Sequence, residues 1–428
     1  MTWDRLALGH LLEGDPALCR AVAEGASLVV AGQQPALGGG PLYTLIKAIQ
    51  ARELARIEGL VPVFWIAGED HDVGEAGHVD LLTREGRVQR CQVALTGRAA
   101  LRHRPAREGW DDLMVACAKY LGPGLGTAWV QAQAPSEGET WSAWQGRLLR
   151  ALVPGLLTVE SHRLRPLWRT ALHRALTAWP VTALAEERSR LLAEGMADAF
   201  GPMTEAPVFA DLPESRVAMT PAAALARWET DPDSLSPGAA LRPLLQQAAL
   251  PCTRFIAGPG EAAYHRFLAP AYAALGVEPP RLIRRTSCTL VPGWLARAGT
   301  GWGLTVESLA GSVPPSVMPT IPPDPAVLNA LDEAIRRTAL VAPAAARRLE
   351  RERVRLLREL SRVARKQRNL PAIGILRSYV RPRELRQERV LGIIPAVWEH
   401  GPGVVQVLAA GLAGASTGGE LFLRLDQA

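Results

Sequence analysis

The sequence predicts an α/β protein: a Rossmann-like parallel sheet core with connecting insertions and a C-terminal helical hairpin or short coiled coil. Three observations predict it. Residues 26–31 (ASLVVA) and 61–67 (VPVFWIA) are short, almost wholly apolar runs, as strands are when helices cover both faces of a parallel sheet. A glycine-rich turn and a helix separate them, which makes a β-α-β unit. Residues 324–368 then change character to charged helical patterning.

Taken in order, the first strand ends in Gly32-Gln33-Gln34-Pro35 and then Gly38-Gly39-Gly40-Pro41. Proline favours the first helical turn, and Leu42, Leu45, Ile46 and Ile49 follow at helical spacing until Gly59. Ligands bind open α/β sheets at the strand ends where such a turn sits. Residues 78–95 predict a hairpin, 121–138 a loop, 141–153 a helix, 155–160 a strand and 168–196 one long helix. Residues 204–236 are proline-rich and predict irregular structure. Residues 251–257 predict a strand running into Gly258-Pro259-Gly260-Glu261 and a helix through 274, and 281–291 the last core strand. A proline-rich linker is expected at 311–323, with helices at 324–340 and 343–368. Leu349, Leu356, Val363 and Leu370 repeat every seven residues, while Leu360 alternates with Arg353 and Gln367, which supports a hairpin rather than a long zipper. Residues 404–408 and 420–425 predict strands. The expected domains are a core at 1–100 and 140–310 with insertions around 100–140 and 195–240, a helical hairpin at 311–372, and a segment at 373–428 packing back on the core.

The chain has 428 residues, 48% of them hydrophobic, and a formal charge of +6. Only three lysines (Lys47, Lys119, Lys366) stand among 48 basic residues, so arginine supplies 45. These charges are scattered and not interleaved with aromatics, which argues against a nucleic-acid partner. The five cysteines form no C-x-x-C pair, against a zinc site or a disulfide framework. No apolar run is long enough to span a bilayer, and the first residues lack the pattern of a secretory signal. A cytoplasmic protein with small-molecule substrates and no membrane partner is expected.

Four segments carry chemistry. Gly32, Gln33, Gln34, Gly40, Tyr43 and Lys47 surround a turn and helix start suited to an anion, although this is neither a Walker loop nor a dinucleotide fingerprint. Glu69, Asp70, His71, Asp72 and His78 crowd titratable groups after an apolar strand, as acid–base sites do. A metal held by His71, Asp72 and His78, or a solvated turn, are the alternatives, and no metal is predicted. Gly258, Gly260, Glu261 and Tyr264 form another strand–turn–helix junction, where Glu261 either caps the helix or binds an amine. Arg285, Ser287 and Thr289 suit a phosphate or carboxylate, or an exposed edge strand.

Together, AGQQPALGGGPLYTLIKAI, VPVFWIAGEDHDVGEAGHV, LRPLLQQAALPCTRFIAGPGEAAY and RRTSCTLV, in this order, resemble the BshC family, the cysteine ligases of bacillithiol biosynthesis, with an echo in RQERVLGII. The resemblance implies a core similar to nucleotidyltransferases and class I aminoacyl-tRNA synthetases. It implies an amide bond formed between the carboxyl of cysteine and the amine of glucosaminyl-malate, with ATP or ADP involved, and a possible homodimer through the helical region. Assigned by residue type, Gly32, Gln33, Gly40 and the helix start at Pro41 would hold a phosphate or carboxylate of that substrate, and Lys47 would neutralise developing charge. Asp70, His71 and Asp72 would position the amine, with His71 accepting its proton. A metal-dependent amino-sugar hydrolase or deacetylase, and a non-catalytic nucleotide-binding dimeric scaffold, are the alternatives.

Overall fold

The computed structural model describes residues 3–83, 85–301, 304–311, 325–368, 371–415 and 418–425. Apart from Gly311, the expected linker lies outside them. The chain divides into two units: Met1–Thr83, Val88–Leu290 and Leu385–Ala428 form one, and Arg84–Arg87 with Val291–Glu384 the other.

In chain order the strands are β1 (Leu28–Gln33), β2 (Val61–Ile66), the hairpin β3 (His78–Leu82) and β4 (Val88–Gln92), and β5 (Leu157–Glu160). Next come β6 (Val208–Asp211), β7 (Arg216–Met219), β8 (Leu235–Pro237), β9 (Cys252–Ala257), β10 (Arg281–Arg284), β11 (Ser287–Val291) and β12 (Glu420–Arg424). The main sheet of the first unit has the order β10-β9-β1-β2-β5, and every pairing in it is parallel. From β1 the chain builds outward through β2 to β5, then returns to the far side of β1 as β9 and β10. The order therefore reverses between β1 and β9, and the strand ends open a crevice there.

Successive side chains point to opposite faces of a strand. Leu28 and Val30 of β1, with Val61, Val63 and Trp65 of β2, join Leu8, Leu12, Trp168, Leu172 and Leu244 in one core layer. Val29, Ala31, Phe64 and Ile66 are buried on the other face, where the Leu42–Glu58 helix lies against β1 and β2 and carries the Val404–Ala413 helix on its back.

Six expectations change. The loop at 121–138 contains the helix Thr127–Ala132. The long helix at 168–196 is two, Arg165–Thr177 and Val181–Ala193, because Pro180 has no amide hydrogen to continue the first. The region 204–236 is ordered as the antiparallel sheet β7-β6-β8 and the helix Pro221–Thr230. Two of its prolines sit where they cost least: Pro221 in the first helical turn, capped by Thr220, and Pro232 in the first position of the short Pro232–Ser234 turn. The helix after β9 breaks at Leu268 into Pro259–Phe267 and Ala269–Leu275. Residues 281–291 are two strands: β10 stays in the main sheet and β11 pairs with β12. Gln50 fixes the corner, its Nε2 donating to Arg284 O at 3.2 Å and its Oε1 accepting from Thr286 N at 2.9 Å. Residues 404–408 open a helix, since the apolar run VVQVLAAGLA is long enough for three turns and lies on the Leu42–Glu58 helix.

The second unit is helical. Pro325–Val341 and Pro343–Arg368 pack as a hairpin, tied by Arg353 Nε to Asp332 Oδ1 at 2.8 Å. Of the seven-residue repeat, Leu349 is half-buried and Leu356 exposed; the side chains of Leu360, Val363, Gln367 and Leu370 lie outside the described residues.

Candidate active site

A cavity of about 300 Å³ occupies the crevice between the ends of β1 and β9. From the β1 side it is lined by Gly32, Gln33, Gln34, Tyr43 and Lys47, and from the β9 side by Gly258, Gly260, Glu261, Tyr264 and His265. Arg242 and Gln246, from the Arg242–Ala249 helix, and Arg285 and Arg389 close the wall.

One ion pair joins the two sides. Lys47 Nζ is 2.6 Å from Glu261 Oε2 and also donates to Gly32 O at 2.9 Å and Gln33 Oε1 at 3.1 Å. These contacts use all three donors of the ammonium. Burial pulls Lys47 below the usual lysine range, and the Glu261 carboxylate opposes that pull. Glu261 Oε2 also accepts from Gly258 N at 2.6 Å, capping the Pro259–Phe267 helix. A single carboxylate thus ends one helix and fixes the cation of another. Lys47 is a clamp between the two turns rather than a free phosphate ligand.

Gln33 Nε2 donates to Tyr43 Oη at 3.2 Å. The Tyr43 phenol is pushed up to about 12 by burial, with Glu75 and Glu261 adding to it. The Arg285 guanidinium lies 5.4 Å from the Tyr43 ring centre. Its Nη1 donates to Glu388 Oε1 at 2.5 Å, and Glu388 is wholly buried. Glu388 also accepts from Ser287 Oγ at 3.0 Å and from Cys288 N at 2.7 Å. Ser287 and Thr289 are therefore not cavity groups. Ser287 braces Glu388, and Thr289 Oγ1 reaches Glu420 Oε1 at 3.4 Å, because both sit inside the β11 pairing.

Gly40 is likewise buried away from the cavity. Its φ is 81°, in the region glycine favours, and its carbonyl accepts from Ile393 N at 2.9 Å. Leu42 N, the first amide of the helix, donates to Leu391 O at 2.7 Å. The anion cradle expected at Pro41 is thus taken by the 391–393 backbone.

The acidic turn after β2 reaches the same sheet edge. Asp70 Oδ1 accepts from His71 N at 2.8 Å and Asp72 N at 3.1 Å, and its Oδ2 from Arg242 Nη1 at 3.2 Å. Burial opposes ionisation of Asp70, but Arg242 and these amides outweigh it and hold the carboxyl below its ordinary range. Asp72 caps the Val73–Ala76 turn by accepting from Glu75 N at 3.0 Å. His71 has Arg216 Nη1 3.0 Å from Nδ1 and Arg98 Nη2 3.2 Å from Nε2. A neutral imidazole has one acceptor nitrogen, so it cannot satisfy both guanidinium groups. Burial, then Arg216, lowers its pKa. Asp70, His71 and Asp72 do not line the cavity; Asp70 touches it only through Arg242. His78 lines an adjoining compartment of about 150 Å³ with Glu75, Gln33, Gln34, Tyr43 and Arg389. His71, Asp72 and His78 thus diverge, and among the described residues no group of His, Cys, Asp or Glu is arranged to hold a metal.

Glu69 is wholly buried and serves the fold. Its Oε1 accepts from Arg165 Nε at 3.1 Å and Nη2 at 3.0 Å. Arg165 also bonds Asp211, which holds Arg102 at 2.8 Å. Glu69→Gln is expected to lower unfolding stability by about 1–2 kcal/mol while leaving substrate KM unchanged. Urea titration beside steady-state kinetics checks it.

The sequence reading missed Arg242, Gln246, His265, Glu388 and Arg389. Arg242 was visible as the lone charge opening an apolar helix, and Glu388 and Arg389 lie within RQERVLGII. What gave no signal was that this last segment, some hundred residues beyond β10, returns to the cavity wall.

The model for the N-terminal Rossmann-like domain of bacillithiol biosynthesis BshC matches residues 18–200 and 203–286. A relative from Heliobacterium modesticaldum, named "Putative cysteine ligase BshC", is 27% identical over 91% of this chain and 82% of its own length. Relatives of the same name from Thermus thermophilus and Geobacillus thermodenitrificans are 32% and 29% identical over 60% and 63% of this chain. The aligned stretch spans about half the length of each of these two, 56%. The family match takes in most of the chain, including both turns that the Lys47–Glu261 pair joins, and the chain belongs to the BshC family.

Proposed function

We propose that this protein is a cysteine ligase of bacillithiol biosynthesis, joining the carboxyl of cysteine to the amine of glucosaminyl-malate as an amide. The observation that carries the reading is one cavity, at the strand-order reversal, with a carboxylate–ammonium clamp on its floor and arginines in its wall. Arg242 and Arg285 each keep a buried Nε–H with no partner among the described residues. These are donors that carboxylate or phosphate oxygens would satisfy. Arg242 and Arg389 are assigned to the malate carboxylates, and Glu261 to the cysteine ammonium.

Amide formation expels a carboxyl oxygen, so the carboxyl needs activation; we take ATP as the co-substrate, a phosphoanhydride bond breaking so that the oxygen leaves on the transferred phosphoryl group as the amine attacks. Arg285 and the Gly258–Gly260 turn are the groups that would face its phosphates. The attacking amine must shed a proton. We assign that proton to Glu75 instead of His71, whose ring nitrogens face arginines. Partial desolvation at the pocket rim, then Asp72 and Asp70, raises the Glu75 carboxyl above its ordinary range, the direction that favours a general base.

The test is pure protein incubated with cysteine, glucosaminyl-malate and ATP, with mass spectrometry of the products. Bacillithiol is expected, and its absence overturns the reading. Glu75→Gln is expected to lower kcat about a hundredfold, with His71→Ala staying within a few-fold of wild type. The base works ionised, so wild-type activity is present above the Glu75 pKa and lost as pH falls through it. That acid limb lies above pH 4.5, the ordinary glutamate value, and disappears in the variant.

A further inference from the structure

The cavity has an uncharged wall that the chemistry above does not use. His265 is 8% exposed and lines it. Its ring stacks between those of Tyr264, 5.2 Å away at 21°, and Tyr272, 5.9 Å away at 15°. Its Nδ1 is 3.1 Å from Tyr272 Oη, and its Nε2 is buried with no partner among the described residues. Trp65, 1% exposed, lines the same cavity, and its indole Nε1–H is also buried without a partner among those residues. Gln246, 8% exposed, adds a neutral amide to the lining.

A buried polar atom left without a hydrogen bond is costly, so two of them on residues lining one cavity point to a ligand that completes them. That ligand is neutral at this wall. Burial brings His265 down to about 4, so the imidazole carries no charge near pH 7. The Tyr272 phenol is pushed up by burial and keeps its proton. With that hydroxyl donating to Nδ1, the imidazole proton sits on Nε2.

We propose that His265 is a specificity residue for the sugar: its Nε2–H, held in that tautomer by Tyr272, donates to a hydroxyl of the hexosamine ring. The assignment rests on the ligase reading only in taking the amino sugar as substrate. It follows from matching charge. The carboxylates of malate and the ammonium and carboxyl of cysteine need the charged side of the cavity. A polyhydroxylated ring is the part of the substrates that an imidazole, an indole and an amide among aromatic rings can recognise.

Calorimetric titration of the full chain with glucosaminyl-malate and, separately, with cysteine tests it. His265→Leu is expected to weaken sugar binding about tenfold, the worth of one hydrogen bond, with cysteine affinity unchanged. His265→Gln, whose amide can stand near the Nε2 position, is expected to recover most of the loss, which a purely structural role would not predict. Tyr272→Phe removes only the hydroxyl that fixes the tautomer and carries the test if His265→Leu fails to fold; about threefold weaker sugar binding is expected. Sugar affinity unchanged in His265→Leu, or cysteine affinity falling equally, overturns the proposal. A wild-type protein that binds the sugar but makes no thiol overturns the ligase reading and leaves this one standing, whereas one that does not bind the sugar overturns both.

Discussion

Glu261→Gln is expected to unfold more readily than wild type by about 3 kcal/mol and to lose ligase activity. The substitution leaves Lys47, 2% exposed, without its counter-charge. It also weakens the acceptor for Gly258 N that caps the start of the Pro259–Phe267 helix. The two turns facing each other across the cavity lose the contact that sets their spacing. A pH signature separates this from a generic packing defect. The folded-state pKa of Lys47 already lies below the ordinary lysine value of 10.5, so the unfolded chain binds that proton more tightly and stability rises with pH between the two values. Without Glu261 the folded-state value falls further, and the rise begins at lower pH. The urea midpoint of the variant should therefore begin its climb at lower pH than that of wild type and gain more in total before both level off above 10.5. Matching midpoints at every pH would remove the clamp from the account.

The second large effect is expected at Arg285. Arg285→Met strips the cation from Glu388, which is wholly buried, and leaves that carboxylate, among the described residues, the Ser287 hydroxyl and the Cys288 amide. A cost of about 3–5 kcal/mol follows for a buried pair broken on one side. The double variant Arg285→Met/Glu388→Leu removes both charges and is expected to regain most of that stability. It should stay inactive, because the cavity has lost an arginine. Denaturant midpoints and turnover of the three proteins check both halves of the expectation. Activity in the double variant would place Arg285 in the fold alone.

The sheet was legible because its information is local. The runs ASLVVA and VPVFWIA are almost wholly apolar, PCTRFIA is apolar in its last three residues, and each ends in a glycine turn, so strand identity and the ligand-binding edge both follow from adjacent residues. The cavity members on those turns, Gln33, Lys47 and Glu261 among them, came with the pattern. What was not legible depends on pairing across distance. The crowded carboxylates after β2 looked catalytic by composition. Nothing near Glu69 announces that Arg165 neutralises it from a helix 96 residues away, and nothing near His71 announces Arg216, 145 residues on. The three consecutive glycines pointed to a phosphate loop, whereas their positive φ angles serve a buried turn covered by Ile393 and Leu391. The region 204–236 was illegible for another reason: Pro221 and Pro232 each open a helical turn, a place where proline fits regular structure instead of breaking it.

The bonds that seat residues 388–393 against the glycine turn and Arg285 have a consequence for biogenesis. Gly40 O, Leu42 N and Arg285 Nη1 each wait for a partner between Glu388 and Ile393. During synthesis the ribosome has already delivered every strand of the main sheet before those partners emerge. A nascent chain can thus assemble its sheet early yet hold an unfinished cavity wall, which is completed only when translation has passed residue 393.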